Sequence, residues 1–301
     1  MSDTDCVFLH DSTGSQQPYI NAARDQVMDT VQKIHAALGS RARFRVVAFR
    51  DHREQGDTWA VHSSNPFTTD AGQLQRQLDE LVADGGGDGP EAQIDGLYAA
   101  LNSDWRGGAK RIVTIITDSP PHGIGEPRDT VPASHPGYMT ADGIIREFVE
   151  RRVRLNVIGC YPEMGSYSSR TSDWYQNFAR VTTGKFFKLE TTAPVSVHHS
   201  LVGTVLHAGD LHAIADDWNS WITARAGRGS LVDDLHAELR SRGTQCHDVY
   251  CTDYSGKDVQ YSKRDITRES VDSVVAHALK GLDGGAQLNE ARDDLADAFL
   301  D

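Results

Sequence analysis

Five short apolar runs, each followed by a stretch with helical spacing, restrict this chain to one kind of architecture. The runs cover residues 5–10, 44–49, 111–117, 155–160 and 185–189. Their apolar character is nearly unbroken rather than alternating, which marks strands covered on both faces and hence a parallel sheet. Between the first two runs, residues 18–38 set Ile20, Val27, Val31, Ile34 and Leu38 on one helical face, with Pro18 near the start and Gly39 just past the end. Shorter helical patterns cover 71–83, 90–101, 141–152 and 172–182, and residues 58–61 add an edge strand. This alternation predicts a doubly wound α/β domain over residues 1–192. The connections 50–70 and 119–140 are long for a compact domain, and loops of that length are often functional.

After Ala193-Pro194 the pattern changes. Residues 195–223 carry a helical stripe interrupted at Gly203 and Gly209, residues 244–261 read as a hairpin, and residues 268–280 form an amphipathic helix closed by Gly281. Residues 195–301 are therefore expected to be a small α+β or helical appendage. Trp218 and Trp221 are expected in its core.

Composition narrows the function classes. The chain has 301 residues and a net charge of -13, with 43 acidic residues against 30 basic ones, which argues against nucleic acid as a general partner. No apolar run approaches the roughly 20 residues that span a bilayer, and the acidic start Met1-Ser2-Asp3-Thr4-Asp5 does not read as a signal peptide. Of the four cysteines, Cys6 and Cys160 fall in expected buried strands. Cys246 and Cys251 have no second cysteine pair to complete a zinc site. Reduced, unpaired thiols and a cytoplasmic location are the expectation.

The chemistry concentrates where strands end. The first run leads directly into Asp11-Ser12-Thr13-Gly14-Ser15, a carboxylate and two hydroxyls spaced two apart. That donor set suits a hard divalent cation, Mg²⁺ first, then Mn²⁺ or Ca²⁺. Asp118 ends another run in Ile115-Ile116-Thr117-Asp118. In an open α/β sheet, ligands bind beyond the carboxyl ends of the strands where the strand order reverses, so neighbouring strands would bring Asp11 and Asp118 to one crevice. Between them lies Gly85-Gly86-Gly87-Asp88-Gly89-Pro90-Glu91, a glycine-rich loop leading into a helix. The candidate metal ligands are Asp11, Thr13, Ser15, Asp88 and Asp118.

These three pieces, in this order, resemble the metal-ion-dependent adhesion site (MIDAS) of the von Willebrand factor A domain family, and the strand–helix series is similar to that family over about the first 190 residues. Phe49-Arg50-Asp51-His52, Trp105 and Pro121-His122-Gly123 also resemble the branch that includes members carrying an alpha-kinase domain. No such kinase is recognisable in residues 195–301. The resemblance implies a Rossmann-like, doubly wound sheet. It implies Mg²⁺ held directly by Thr13 and Ser15, with Asp11 and Asp118 acting mostly through water. It also implies a protein partner whose acidic side chain completes the metal shell. Many members use a threonine on the middle loop. Here the loop offers Asp88, with Glu91 nearby, and a direct carboxylate would tighten metal binding while weakening the pull on an acidic partner.

Other polar groups read more plainly. Arg50, Asp51 and His52 are expected to form a structural ion pair or loop anchor, and His122 to be a solvated loop histidine. His198, His199, His207 and His212 do not share one helix face and read as exposed. No phosphate loop, zinc-protease helix, nucleophile elbow or kinase set is present. The expected function is therefore a Mg²⁺-dependent protein-interaction module. Two alternatives stand beside it. One is a metal-assisted phosphohydrolase, in which Thr13 stands where such enzymes carry a second aspartate. The other is a platform whose C-terminal appendage binds the partner.

Overall fold

β1 (Thr4–Asp11) is buried along its whole length and forms the spine of the sheet. In the computed structural model the described residues are 3–127, 129, 131, 134, 139–190, 192, 197, 200–202, 205, 231–241, 243, 245–251 and 259–272. Six strands form one sheet in the order β3-β2-β1-β4-β5-β6. They are β2 (Arg43–Phe49), β3 (Val61–His62), β4 (Lys110–Thr117), β5 (Val153–Cys160) and β6 (Phe186–Leu189) around β1. All pairings are parallel except that of the short edge strand β3. The expected edge strand at 58–61 thus lies slightly later, with Val61 opposite Phe49.

Alternation along β1 divides the core into two layers. Cys6 and Phe8 face α1 (Gln17–Leu38) and α2 (Ala71–Asp79), where they meet Ile20, Val27, Ile34, Leu74 and Leu78. Val7 and Leu9 face α3 (Gln93–Leu101), α4 (Ala141–Glu150) and α5 (Ser169–Val181), where they meet Ile94, Leu97, Ile144, Phe148 and Phe178. At Gly96 a Cβ would stand 3.1 Å from both Leu9 Cδ1 and Phe49 Cβ, so glycine lets α3 lie against the strands. The helix ends follow local chemistry. Pro18 stands in the first turn of α1, Asp70 accepts from Gln73 N at the start of α2, and Thr140 accepts from Gly143 N at the start of α4.

Helical residues 197, 200–202 and 205 place Val197, Leu201, Val202 and Val205 in the same core layer as α1, so the packing of the main unit continues past residue 192. Further along, α6 (Leu231–Ser241) precedes a two-stranded antiparallel sheet of β7 (Gln245–Cys251) and β8 (Val259–Asp265). Most of the 195–223 stripe, the four histidines between 198 and 212, Trp218, Trp221 and the end of the 268–280 helix lie outside the described residues. No helix among the described residues is long and apolar enough to cross a membrane.

One sequence expectation fails in a way that matters for the site. Pro90 does not open α3, which begins at Gln93. Glu91 instead forms an isolated parallel bridge with Pro121, in the segment after β4. Glu91 N donates to Pro120 O at 3.0 Å and His122 N donates to Glu91 O at 3.2 Å, so this backbone satisfies its hydrogen bonds outside any helix.

Candidate metal centre

The register of the central strands decides what meets at the sheet's carboxyl edge. β1 pairs with β2 on one side and β4 on the other, the reversal point of the strand order, and His10 lies opposite Ile116. Asp11 therefore sits beside Thr117, with Asp118 one residue further on. Four donors hold the Asp11 carboxylate. Thr13 N (3.0 Å) and Thr13 Oγ1 (2.7 Å) reach Oδ1, and Thr117 Oγ1 (2.6 Å) and Ser119 Oγ (3.2 Å) reach Oδ2. A second tier fixes those donors: Gln93 Nε2 donates to Ser119 Oγ at 2.8 Å, and the Tyr175 hydroxyl donates to Ser119 O at 2.9 Å.

The hydroxyls of Thr13 and Ser15 stand 3.5 Å apart, Thr13 buried and Ser15 exposed, so the group opens outward. Asp118 is 4 % exposed, and its Oδ2 meets no hydrogen-bond partner among the described residues. The same holds for Oε2 of the buried Glu91. Two orphaned buried carboxylate oxygens beside two hydroxyls fit the needs of a hard divalent ion, because each would otherwise forfeit its hydration without return.

The electrostatics agree. Burial and the nearby Asp118 raise the Asp11 carboxyl to about 7. Burial, then Asp11, Asp51, Asp57 and Asp88, raise Glu91 to about 11. Asp118 is raised by burial, although hydrogen bonds from the Ser15 and Gln16 side chains pull it the other way. The negative field reaches the rim, where burial and these same acids push the Tyr167 hydroxyl up to about 12. Carboxyl groups crowded this way are a poor arrangement for a bare protein and a good one for a cation.

Of the five sequence candidates, the structure brings Asp11, Thr13, Ser15 and Asp118 together. The contacts of Asp88 lie elsewhere: it is exposed and accepts from Gln55 Nε2 at 3.0 Å and from Gly89 N at 2.8 Å, while burial, Asp51 and Asp129 raise its carboxyl against the pull of His122. Glu91 and Thr13 both border Gly86 of the middle loop. A Cβ on Gly86 would stand 2.9 Å from Glu91 Oε1 and 3.2 Å from Thr13 Cβ, and φ there is +88°. At Gly85, φ is +77° and a Cβ would fall 1.9 Å from Asp57 Oδ1. The glycines let this loop fold tightly over the hydroxyls, and Asp57 Oδ2 pins it by accepting from Gly86 N at 3.0 Å.

The expectation of a solvated His122 also fails. His122 is fully buried, with Nε2 2.8 Å from Asp51 Oδ1 and Nδ1 2.8 Å from Asp129 Oδ1. Burial acts to lower its pKa, but the bonds to Asp51 and Asp129 outweigh that and raise it. Its ring stacks on His52 at 5.1 Å between centroids, and His52 Nε2 lies 2.6 Å from Asp95 Oδ2. The visible signal was position, since Asp51-His52 follows β2 and His122 follows β4, both at the same sheet edge.

The model of the von Willebrand factor A domain matches residues 5–191. The chain belongs to that family. Von Willebrand A domains commonly mediate protein–protein interaction or adhesion and often bind a divalent metal ion. Among curated proteins, the chain is similar to the alpha-protein kinase vwkA of Dictyostelium discoideum, with 28% identity over 153 residues, covering 50% of this chain and 24% of that protein. It is also similar to a putative ariadne-like RING finger protein of Acanthamoeba polyphaga mimivirus, with 26% identity over 190 residues, covering 62% of this chain and 18% of that one. The chain thus spans about a quarter or less of these relatives' lengths. Among solved structures, similarity extends to the pilus adhesin SpaC from Lactobacillus rhamnosus GG in its open conformation (14% identity, 70% of this chain, 30% of that chain, TM-score 0.49). It extends also to a von Willebrand factor type A protein from Catenulispora acidiphila (14% identity, 68% and 43%, TM-score 0.46).

Proposed function

We propose that this von Willebrand A domain binds Mg²⁺ at the carboxyl edge of its sheet and uses the loaded edge to hold a protein partner. Thr13 and Ser15 would bind the ion through their hydroxyls, and Asp118 would bind it directly or through water. Asp11 would act mainly by orienting Thr13 and supplying charge. One observation carries this reading. Buried carboxylates on three segments, two of them with an orphaned oxygen, surround a pair of adjacent hydroxyls that opens to solvent. Glu91, in the role the sequence assigned to Asp88, would compensate part of the ion's charge. The ion would then be tightly held, and its pull on an acidic partner residue correspondingly weak.

The phosphohydrolase alternative is less favoured. Each oxygen of Asp11 already accepts two donors, which suits a carboxylate held for an ion better than a nucleophile. The test is partner capture by the full chain in Mg²⁺ and in EDTA, with wild type and Asp118→Ala. Capture is expected only for the wild type in Mg²⁺. Identical partner sets in all four conditions would refute the proposal.

A further inference from the structure

Asp51, His52 and His122 lie on two different loops, yet one ligand atom from each falls within 4.8 Å of the others, and all three side chains are buried. A tetrahedral zinc ion with bonds of about 2.0–2.2 Å keeps its ligands roughly 3.3–3.6 Å apart, so the three stand near that spacing, and His122 Nε2 and Asp51 Oδ1, at 2.8 Å, would part slightly to admit the ion. The surroundings have the form that metal-bound histidines require. A ligating imidazole fixes its tautomer by donating its other N–H to a carboxylate. His122 meets Asp129 through Nδ1 at 2.8 Å, which aims Nε2 at Asp51. His52 meets Asp95 through Nε2 at 2.6 Å, which makes Nδ1 its ligand atom. Asp51 Oδ1 is occupied by His122 and by the His52 backbone N–H, whereas its Oδ2 is buried with no hydrogen-bond partner among the described residues.

We infer that Asp51, His52 and His122 form a second metal site, separate from the hydroxyl-lined one and suited to a borderline ion of the Zn²⁺ class. Two imidazoles and one carboxylate select against Mg²⁺, which demands a near-ideal shell of oxygens. Binding exchanges the proton between His122 Nε2 and Asp51 for the metal, and the proton leaves to solvent. Three protein ligands leave a fourth position for water or a partner's side chain. The site would tie the loop after β2 to the loop after β4, directly behind Glu91, whose backbone accepts from His122 N. This inference does not depend on the Mg²⁺ reading.

The experiment uses the full chain, stripped with EDTA, saturated with Mg²⁺ and then titrated with Co²⁺ as a spectroscopic stand-in, followed by Zn²⁺. The expected result is one Co²⁺ per chain with the intense visible absorption of a tetrahedral ion, displaced by Zn²⁺. The absorption should be lost in His52→Asn and in His122→Asn and kept in Thr13→Val, which alters only the hydroxyl-lined site. Asp129→Asn, which keeps all three ligands, should weaken Co²⁺ binding by about tenfold at unchanged stoichiometry, and this variant decides the matter if the histidine variants fail to fold. No tetrahedral absorption in the wild type would overturn the inference. So would equal absorption in the histidine variants, which would place the ion on other histidines or cysteines, or unchanged affinity in Asp129→Asn.

Discussion

Asp5 and Asp11 stand at the two ends of β1, on the same face of the strand and both fully buried, and their surroundings are opposite. Asp5 is enclosed by cations. Arg43 reaches both of its oxygens, Nε at 2.9 Å and Nη2 at 2.7 Å, and Arg106 adds its backbone N–H and its guanidinium at 2.5–2.9 Å. Burial alone would raise its carboxyl, but the bonds from Arg43 and Arg106 overcome that and hold it below the ordinary value. Asp11 is enclosed by hydroxyls and further carboxylates, and sits at about 7. A chain selected only for stability would have treated both ends alike. At the amino edge the chain's own guanidinium groups neutralise the buried carboxylate, whereas at the carboxyl edge the Asp11 carboxylate is held by hydroxyls and a backbone N–H.

The comparison can be broken first at the clamp of guanidinium groups around Asp5. Asp5→Ala leaves two guanidinium groups without their shared acceptor and is expected to destabilise the protein by about 3 kcal/mol, read by denaturant unfolding and independent of Mg²⁺. At the other edge, Mg²⁺ at about a hundred times its Kd should stabilise the wild type by roughly 2.7 kcal/mol. That increment should vanish in Asp118→Asn, whose metal-free form should be at least as stable as the wild type because one crowded carboxylate is gone. A variant whose stability collapses without metal would contradict the picture of an edge under electrostatic strain. Gly85→Ala forces a side chain into Asp57 at a positive φ. It should cost about 1–2 kcal/mol and reduce Mg²⁺ affinity, because the loop that carries Glu91 lifts from Thr13.

The smallest effect is in the acid limb. The folded pKa of Asp5 lies below its unfolded value of 3.8, so its contribution is complete above about pH 4 and is lost as the pH falls through the folded value. A plot of unfolding free energy against pH should therefore fall less steeply below pH 4 in Asp5→Asn than in the wild type. Parallel acid limbs would show that the clamp contributes no pH-dependent stability.

How much of this was legible beforehand depends on how local each feature is. Unbroken apolar runs and helical spacing carry the parallel α/β sheet, because burial on both faces leaves an imprint on every residue of a strand. Asp11, Thr13, Ser15 and Asp118 could be placed near one another in the same way, because they sit at or just past the ends of those strands, whereas the position of Glu91 could not. Pro90 reads as a helix opener, and only the hydrogen bonds of Glu91 with Pro120 and His122 show that the helix starts later and that Glu91 is tied to the segment after β4. His122 was misjudged because its burial depends on two long loops crossing, with His52 under one and Asp129 on the other, and no periodicity records such a meeting. Composition changes at Ala193-Pro194, whereas the core layer that holds α1 also includes Val197, Leu201, Val202 and Val205.

The most direct test is an anomalous difference map from crystals of the full chain grown with Mn²⁺, which substitutes for Mg²⁺ among oxygen ligands. A strong peak is expected bonded to Thr13 Oγ1 and Ser15 Oγ, with Asp118 and Glu91 within one water of it and Asp88 remote. No peak among those side chains at saturating Mn²⁺, or a peak held by Asp88 instead of Glu91, would contradict it.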